Sequence, residues 1–351
     1  MRRTSKEIKA GGVSIGGGSR ITVQSMLNTD TADVKASAEQ IGRLINAGCD
    51  IIRFAVTDPE KARSIYAFKS EFPDMPFVAD IHFDYKTALA CIDAGIDKIR
   101  INPGNIGSED RIKAVAAAAK AKNIPIRIGV NGGSLEKHIL AKYGSPTAEA
   151  LAESALYHAS LLEKFDFDDI VLSVKSSDVV TMIKANRIIA EKCAYPVHLG
   201  VTEAGTKRAG TIKSAVGIGS LLCDGIGDTV RVSLTDDPVE EVYAAKELLA
   251  AIGLSRPLLT VVSCPTCGRT QINLIELCKR FDDMMPELHP SKPVKVALMG
   301  CVVNGPGEAA ECDIGIAGGK GEALLFKHGK PVKKIKSEEI LSVLKDEINK
   351  L

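Results

Sequence analysis

The feature that most constrains the fold of this chain is an eightfold alternation of two periodicities. Short, β-branched apolar runs at 21–26, 50–56, 76–82, 97–103, 124–131, 169–175, 196–203 and 228–234 each precede a helix-periodic run. Those runs fall at 33–47, 59–72, 85–94, 109–122, 146–165, 179–193, 209–222 and 238–252. Strands joined by crossovers of this length pair in parallel, and parallel strands buried on both faces read as continuous apolar runs. Eight such units in about 250 residues match a closed (β/α)8 barrel. An open doubly wound sheet is the rival, but no strand is followed by a Gly-x-Gly-x-x-Gly turn. Gly48, Gly95 and Gly253 stop three of the helices as C-terminal caps. The early glycines, Gly11-Gly12 and Gly16-Gly17-Gly18, suggest a hairpin or lid over one barrel end. They are not a phosphate loop, because no Gly-Lys-Ser/Thr follows.

The rhythm changes after Arg256-Pro257. A strand at 258–263, a helix at 271–284 and a strand at 294–299 come first. Strands at 313–318, 323–329 and 331–335 follow, and a terminal helix begins at Ser337. The fold class expected is therefore α/β: a TIM-like (β/α)8 barrel in residues 1–256, followed by a smaller α+β module in residues 257–351.

Composition removes several functions. The formal net charge is +1, so no global field draws nucleic acid or an anionic membrane. Aromatics make up 4% of the chain and Trp is absent, which disfavours a stacking platform for bases. The N-terminus is basic without a following apolar run, and no apolar stretch is long enough to span a bilayer. Nine cysteines in 351 residues do not resemble the disulfide framework of a short secreted domain. The expectation is a cytoplasmic protein with reduced thiols.

Barrel enzymes keep their chemistry at the C-terminal ends of the strands. Those ends carry Gln24 and Ser25; Arg53; Asp80 and His82; Arg100 and Asn102; Arg127 and Asn131; Ser173 and Lys175; His198, Thr202 and Glu203; and Arg231 and Ser233. A lone arginine at a strand end is ordinarily a surface ion pair. Cations on five of eight strands in one register are not explained that way, because burying them together is costly unless an anion answers them. Arginine forks and a lysine ammonium suit a diphosphate. His82 and His198 would donate hydrogen bonds or protons to the same ligand. Glu203, flanked by small residues, fits a general acid if desolvation raises its pKa, and otherwise an arginine partner.

The second module carries Cys264-Pro-Thr-Cys267, and later Cys301-Val-Val-Asn-Gly-Pro-Gly-Glu308 just past the strand at 294–299. Cys-x-x-Cys serves redox dithiols, zinc knuckles and iron–sulfur clusters. A dithiol does not need Cys301. A zinc knuckle would offer a second Cys-x-x-Cys or a His pair nearby. Three cysteines plus one further ligand fit a [4Fe–4S] cluster, and spacing leaves Cys278, Cys312 and Glu308 open as the fourth. Cys49, Cys91, Cys193 and Cys223 read as small buried hydrophobes.

These stretches resemble the 4-hydroxy-3-methylbut-2-en-1-yl diphosphate synthase family, in its two-domain bacterial form. The resemblance rests on Val23-Gln-Ser-Met, Val78-Ala-Asp-Ile-His-Phe-Asp-Tyr, Arg100-Ile-Asn-Pro-Gly-Asn-Ile-Gly and Pro125-Ile-Arg-Ile-Gly-Val-Asn. It continues in His198-Leu-Gly-Val-Thr-Glu-Ala-Gly, Gly225-Ile-Gly-Asp-Thr-Val-Arg-Val-Ser-Leu and the two cysteine motifs, and covers nearly the whole chain. It implies two-electron reductive ring opening and dehydration of 2-C-methyl-D-erythritol 2,4-cyclodiphosphate. It implies a [4Fe–4S] cluster on Cys264, Cys267, Cys301 and Glu308, with Glu203 as acid for the leaving hydroxyl. It further implies flavodoxin or ferredoxin as electron donor, and a head-to-tail homodimer in which one chain's cluster serves the other's barrel. On the residues alone two rivals stand. One is a phosphate-ligand barrel enzyme, pterin-synthase-like or aldolase-like, with a structural zinc module. The other is a non-catalytic iron–sulfur sensor of a phosphorylated metabolite.

Overall fold

The computed structural model describes residues 2–82, 84–102, 106–301 and 311–351. Contacts divide the chain into two units, Met1–Leu254 and Ser255–Leu351.

In the first unit eight parallel strands lie in the order β8-β7-β6-β5-β4-β3-β10-β9. They are β3 (Thr22–Met26), β4 (Ile51–Ala55), β5 (Phe77–Asp80), β6 (Lys98–Ile101), β7 (Ile126–Asn131), β8 (Ile170–Lys175), β9 (His198–Leu199) and β10 (Thr229–Val230). A parallel bridge between Leu172 and Val197 joins the two ends of that order, so the sheet closes. The helices are α1 (Val34–Asn46), α2 (Ser64–Glu71), α3 (Tyr85–Asp93), α4 (Glu109–Ala121), α5 (Lys137–Tyr143), α6 (Ala148–Glu163), α7 (Val179–Lys192), α8 (Lys207–Cys223) and α9 (Pro238–Ala251). The short α5 was not foreseen. It sits inside the long connection after β7, and its 7 residues, about two turns, are too few to show an apolar period.

Alternation along each strand sorts side chains between two compartments. On β7, Ile126, Ile128 and Val130 join the apolar layer under the helices, while Arg127, Gly129 and Asn131 face the barrel axis. On β8, Ile170, Leu172 and Val174 point outward, and Ser173 and Lys175 point in. Helix starts are fixed by side-chain caps: Asp33, Asp84, Thr147, Asp178 and Asp237 each accept a backbone N–H of the first turn.

The opening glycine-rich stretch is a hairpin. β1 (Ile8–Ala10) pairs antiparallel with β2 (Val13–Ile15). Ala10 and Ile15 pack with Ile51 and Val78, the first inward residues of β4 and the neighbouring β5. The hairpin therefore plugs the N-terminal end of the barrel, opposite the strand ends that carry the charged residues.

The second unit is a five-stranded sheet in the order β11-β12-β13-β14-β15. β11 (Leu259–Ser263), β12 (Val294–Met299) and β13 (Ile314–Gly318) run parallel. β14 (Glu322–Lys327) and β15 (Lys330–Lys336) add antiparallel. α10 (Leu274–Met284) and α11 (Ile340–Ile348) bury Leu274, Leu277, Phe281, Ile340, Leu344 and Ile348 against Val296, Leu298, Ile314 and Ile316 of the sheet.

Candidate active site

The C-terminal ends of the barrel strands enclose a cavity of about 170 Å³. Of the sequence-predicted ligand residues, Arg53, Asp80, His82, Arg100, Arg127, Asn131, Lys175, Thr202, Arg231 and Ser233 line it, together with Gly129, Val130 and Ser173. So small and polar a chamber suits a compact polyanion better than a large apolar ligand.

Two carboxylates organise the cations. Asp80, 3% exposed, receives Arg100 Nη1 at 3.1 Å and lies 3.7 Å from Arg53 Nη2, with His82 Nε2 at 3.9 Å. Burial alone would raise its carboxyl, but Arg53, Arg100 and Arg127 outweigh that and hold it well below the usual carboxylate range. Glu241, on the first turn of α9, takes Arg231 Nε and Nη2 at 3.2 Å each. Arginine pairing, the alternative to an acid role for Glu203, is thus taken at Arg231 by Glu241. Between the two groups, Met26 Sδ lies 2.9 Å from Arg53 Nη2 and 3.7 Å from Arg231 Nη1.

Arg127 and Lys175 have no such carboxylate partner among the described residues. Arg127 is 1% exposed, and its Nε and Nη2 meet no acceptor among the described protein atoms. Burial, and then Arg53 and Arg100, lower its pKa well below the ordinary value. Lys175 is lowered likewise, by burial and then by Arg53, Arg231 and Arg127. An anion bound beside them would offset both the burial and the neighbouring cations.

Backbone room for these cations comes from two glycines. A Cβ on Gly129 would stand 2.4 Å from Arg100 Nε, and one on Gly200 would stand 2.7 Å from Lys175 Nζ. Beneath the cavity lies a fully buried polar tier of Thr22, Gln24, Lys98, His198 and Thr229, each with side-chain polar atoms lacking a protein partner among the described residues. Burial, Arg127 and Arg53 push Lys98 down to about 7. His198 belongs to this tier rather than to the lining. Burial and then Arg127, Lys175, Lys98 and Arg53 lower its pKa well below the ordinary imidazole range, which favours the neutral ring. Asn102 is buried at the end of β6 and does not line the cavity.

Glu203 stands on the loop after β9, next to the lining residue Thr202, and is exposed. The first unit by itself does not supply the desolvation expected for it. Its φ of 51° places a non-glycine residue in the left-handed region, a conformation that recurs at functional loops.

In the second unit Cys264 follows β11, and Cys301 follows the adjacent β12 by two residues. Cys264 Sγ accepts the Gly300 N–H at 3.3 Å, next to Cys301, which is 7% exposed. The Cys267 thiol is lowered by the backbone and then the side chain of Arg269. Amides aimed at sulfur favour thiolates, the form that binds soft metals. Burial instead raises the thiols of Cys278 and Cys312, and Cys312 packs among Ala297, Met299, Ala317 and Phe326. The donor chemistry thus fits an iron–sulfur group on Cys264, Cys267 and Cys301. Among the described residues no three His, Cys, Asp or Glu side chains form a complete metal-holding group, and Glu308 lies outside those residues. Of the remaining cysteines, Cys49 and Cys91 are buried, as expected, whereas Cys223 is exposed at the end of α8.

Comparison with known proteins follows the same two-unit division. Residues 5–246 match the family model described as GcpE TIM-barrel domain, and residues 260–350 the GcpE protein C-terminal domain. The chain is 55% identical over 350 residues to a Ruminiclostridium cellulolyticum protein named 4-hydroxy-3-methylbut-2-en-1-yl diphosphate synthase (flavodoxin), covering 100% of this chain and 98% of that one. A protein of the same name from Caldanaerobacter subterraneus subsp. tengcongensis is 56% identical over 351 residues, covering 100% and 98%. Among solved structures, dihydropteroate synthase from Stenotrophomonas maltophilia superposes with a TM-score of 0.52 at 16% identity, over 72% of this chain and 100% of that one, a likeness of fold alone. Matched in both its units and more than half identical to full-length relatives, the chain belongs to the GcpE family.

Proposed function

We propose that the chain is a 4-hydroxy-3-methylbut-2-en-1-yl diphosphate synthase of the non-mevalonate isoprenoid pathway. In this reading it converts 2-C-methyl-D-erythritol 2,4-cyclodiphosphate, two electrons and two protons into the linear allylic diphosphate and water. The observation that carries the reading is the cavity lined by five cations and Asp80, with Glu241 behind Arg231, in a chain 55% identical over its length to proteins of that name. Arg127 and Lys175, without carboxylate partners among the described residues, bind the diphosphate most directly. Arg53 and Arg100, held by Asp80, and Arg231, held by Glu241, complete the ring. His82, Asn131, Thr202 and Ser233 hydrogen-bond the remaining phosphate and hydroxyl oxygens, while Asn102 and His198 shape the wall and floor from behind. Glu203 delivers the proton to the departing hydroxyl once the site is covered and water excluded.

Cys264, Cys267, Cys301 and Glu308 would hold the [4Fe–4S] cluster, which supplies the two electrons one at a time when bound. The donor is flavodoxin, in keeping with the relatives' names, or a ferredoxin. The resemblance supports a cytoplasmic, head-to-tail homodimer, with residues 1–256 binding substrate and 257–351 carrying the cluster. No helix among the described residues is long and apolar enough to cross a membrane.

Anaerobically purified protein tests this directly. Iron and acid-labile sulfide in equal amounts, with oxidation of a reduced dye on adding the cyclic diphosphate, are expected. A colourless protein holding zinc and no sulfide would overturn the reading, and so would a reduced cluster that binds the diphosphate without being oxidised.

A further inference from the structure

We propose that Glu241 is a positioning residue of the anion site, acting through Arg231. The inference rests on the diphosphate reading above. Glu241 lies on α9, outside the cavity lining, and is 3% exposed. Its two oxygens are fully engaged. Oε2 accepts Ser25 Oγ at 3.0 Å and Arg231 Nε at 3.2 Å, and Oε1 accepts Arg231 Nη2 at 3.2 Å and the Leu234 backbone N–H at 3.1 Å. One carboxylate therefore ties together the end of β3, the guanidinium after β10 and the loop leading into α9.

The neighbouring residue shows what an ordinary glutamate on this turn does. Glu240 lies on the same first turn and pairs at the surface with Lys207 at 2.7 Å, as expected of a carboxylate near a helix N-terminus. Glu241 instead buries its charge and spends it on Arg231. The bidentate contact uses the Nε/Nη2 edge, so the guanidinium plane is fixed and Nη1 is left on the Met26 side. Without that clamp Arg231 would stand beside Arg53, Arg127 and Lys175 with nothing behind it, and repulsion would favour swinging away. The same carboxylate also favours the charged forms of Arg53 and Lys175, so its field reaches beyond its direct partner. Preorganising a cation before the anion arrives lowers the ordering cost of binding.

The test is a binding cycle on the full-length, cluster-loaded protein without reductant, using calorimetry with 2-C-methyl-D-erythritol 2,4-cyclodiphosphate. E241Q keeps the shape but places an amide N–H against Arg231 or Ser25. We expect its Kd to rise about tenfold, in line with loss of a charge-assisted hydrogen bond. In turnover assays KM should rise similarly while kcat stays within about twofold. R231M alone should lose at least as much affinity, and E241Q should add little in the R231M background, because the two act as one unit. Additive losses in the double variant would show a merely structural role and overturn the inference, as would wild-type affinity in E241Q. If E241Q does not fold, E241D, which withdraws the charge by one methylene, must show the same non-additive loss or the inference falls. If the wild type itself does not bind the cyclic diphosphate, the diphosphate reading fails and takes this inference with it. If the wild type binds and E241Q binds equally, only the role of Glu241 fails.

Discussion

At the scale of single residues, the site depends on what is left out as much as on what is present. Gly129 faces the axis so that Arg100 can lie across it, donating to Asp80 at 3.1 Å and to the Gly129 carbonyl at 3.2 Å. A Cβ there would stand 2.4 Å from Arg100 Nε, an overlap that must displace the guanidinium. We expect Gly129→Ala to weaken cyclic diphosphate binding by roughly tenfold or more, while the melting temperature falls only slightly. Wild-type affinity in calorimetry would show that Arg100 does not need this position. Lys98 gives a prediction of opposite sign for stability. Its pKa is about 7 in the folded chain and about 10.4 when unfolded. Between those values the unfolded chain binds more protons, so this residue makes stability rise with pH from about 7 to about 10. Lys98→Met removes that slope. In phosphate-free buffer it should stabilise the protein at pH 7 by on the order of 2 kcal/mol, with the difference shrinking toward pH 10. A lower melting temperature than wild type at pH 7 would refute it.

At the scale of elements, the two barrel ends have separate duties. The β1–β2 hairpin seals the N-terminal end through Ala10, Ile15, Ile51 and Val78, while the charged residues sit at the other end. Ile15→Ala should therefore cost roughly 2–4 kcal/mol in denaturant unfolding, as for other large-to-small core changes. It should leave the Kd for the cyclic diphosphate unchanged, and a matching loss of affinity would show the two ends to be coupled. The strands and most helices were legible because burial on both faces imposes an apolar run, and capping residues punctuate it. The cation ring was legible for the related reason that period two places Arg53, Arg100, Arg127 and Lys175 on the inward faces of their strands, near the C-terminal ends. The same period puts Lys98 two residues before Arg100 on the same inward face. That signal was available, but a lysine opening a strand reads as solvated. Glu241 was not legible. A glutamate on a first helical turn is indistinguishable in sequence from its surface neighbour Glu240, and only closure of the barrel brings α9 behind Arg231. Glu203 was singled out from the loop after β9, where its exposure and its left-handed φ are properties no local pattern reveals.

At the scale of the whole molecule, the two units have independent means of folding and different chemistry to offer. Their apolar cores share no residue: one wraps the barrel strands from Ile21 to Leu249, and the other lies between Leu274 and Ile348. The family matches leave 247–259 between them, the span that contains Arg256-Pro257. The charges of the anion site all come from the first unit, and Cys264, Cys267 and Cys301 from the second. A net charge of +1 for the chain thus conceals a concentrated cationic site, buried where bulk salt screens it weakly. This predicts a division of labour. Residues 1–254 expressed alone should unfold cooperatively and bind the cyclic diphosphate within about tenfold of the full chain's affinity, because every cation and both carboxylates remain. The fragment should carry no iron, and should not oxidise a reduced dye when substrate is added. Replacing Cys264, Cys267 or Cys301 by Ser in the full chain should give the complementary result, with iron content lost and diphosphate binding kept. Calorimetry on the fragment, beside iron and sulfide determination on the serine variants, separates the two. A fragment that folds but fails to bind would mean that the second unit builds part of the anion site, and a serine variant that retains the full iron content would remove that cysteine from the ligand set.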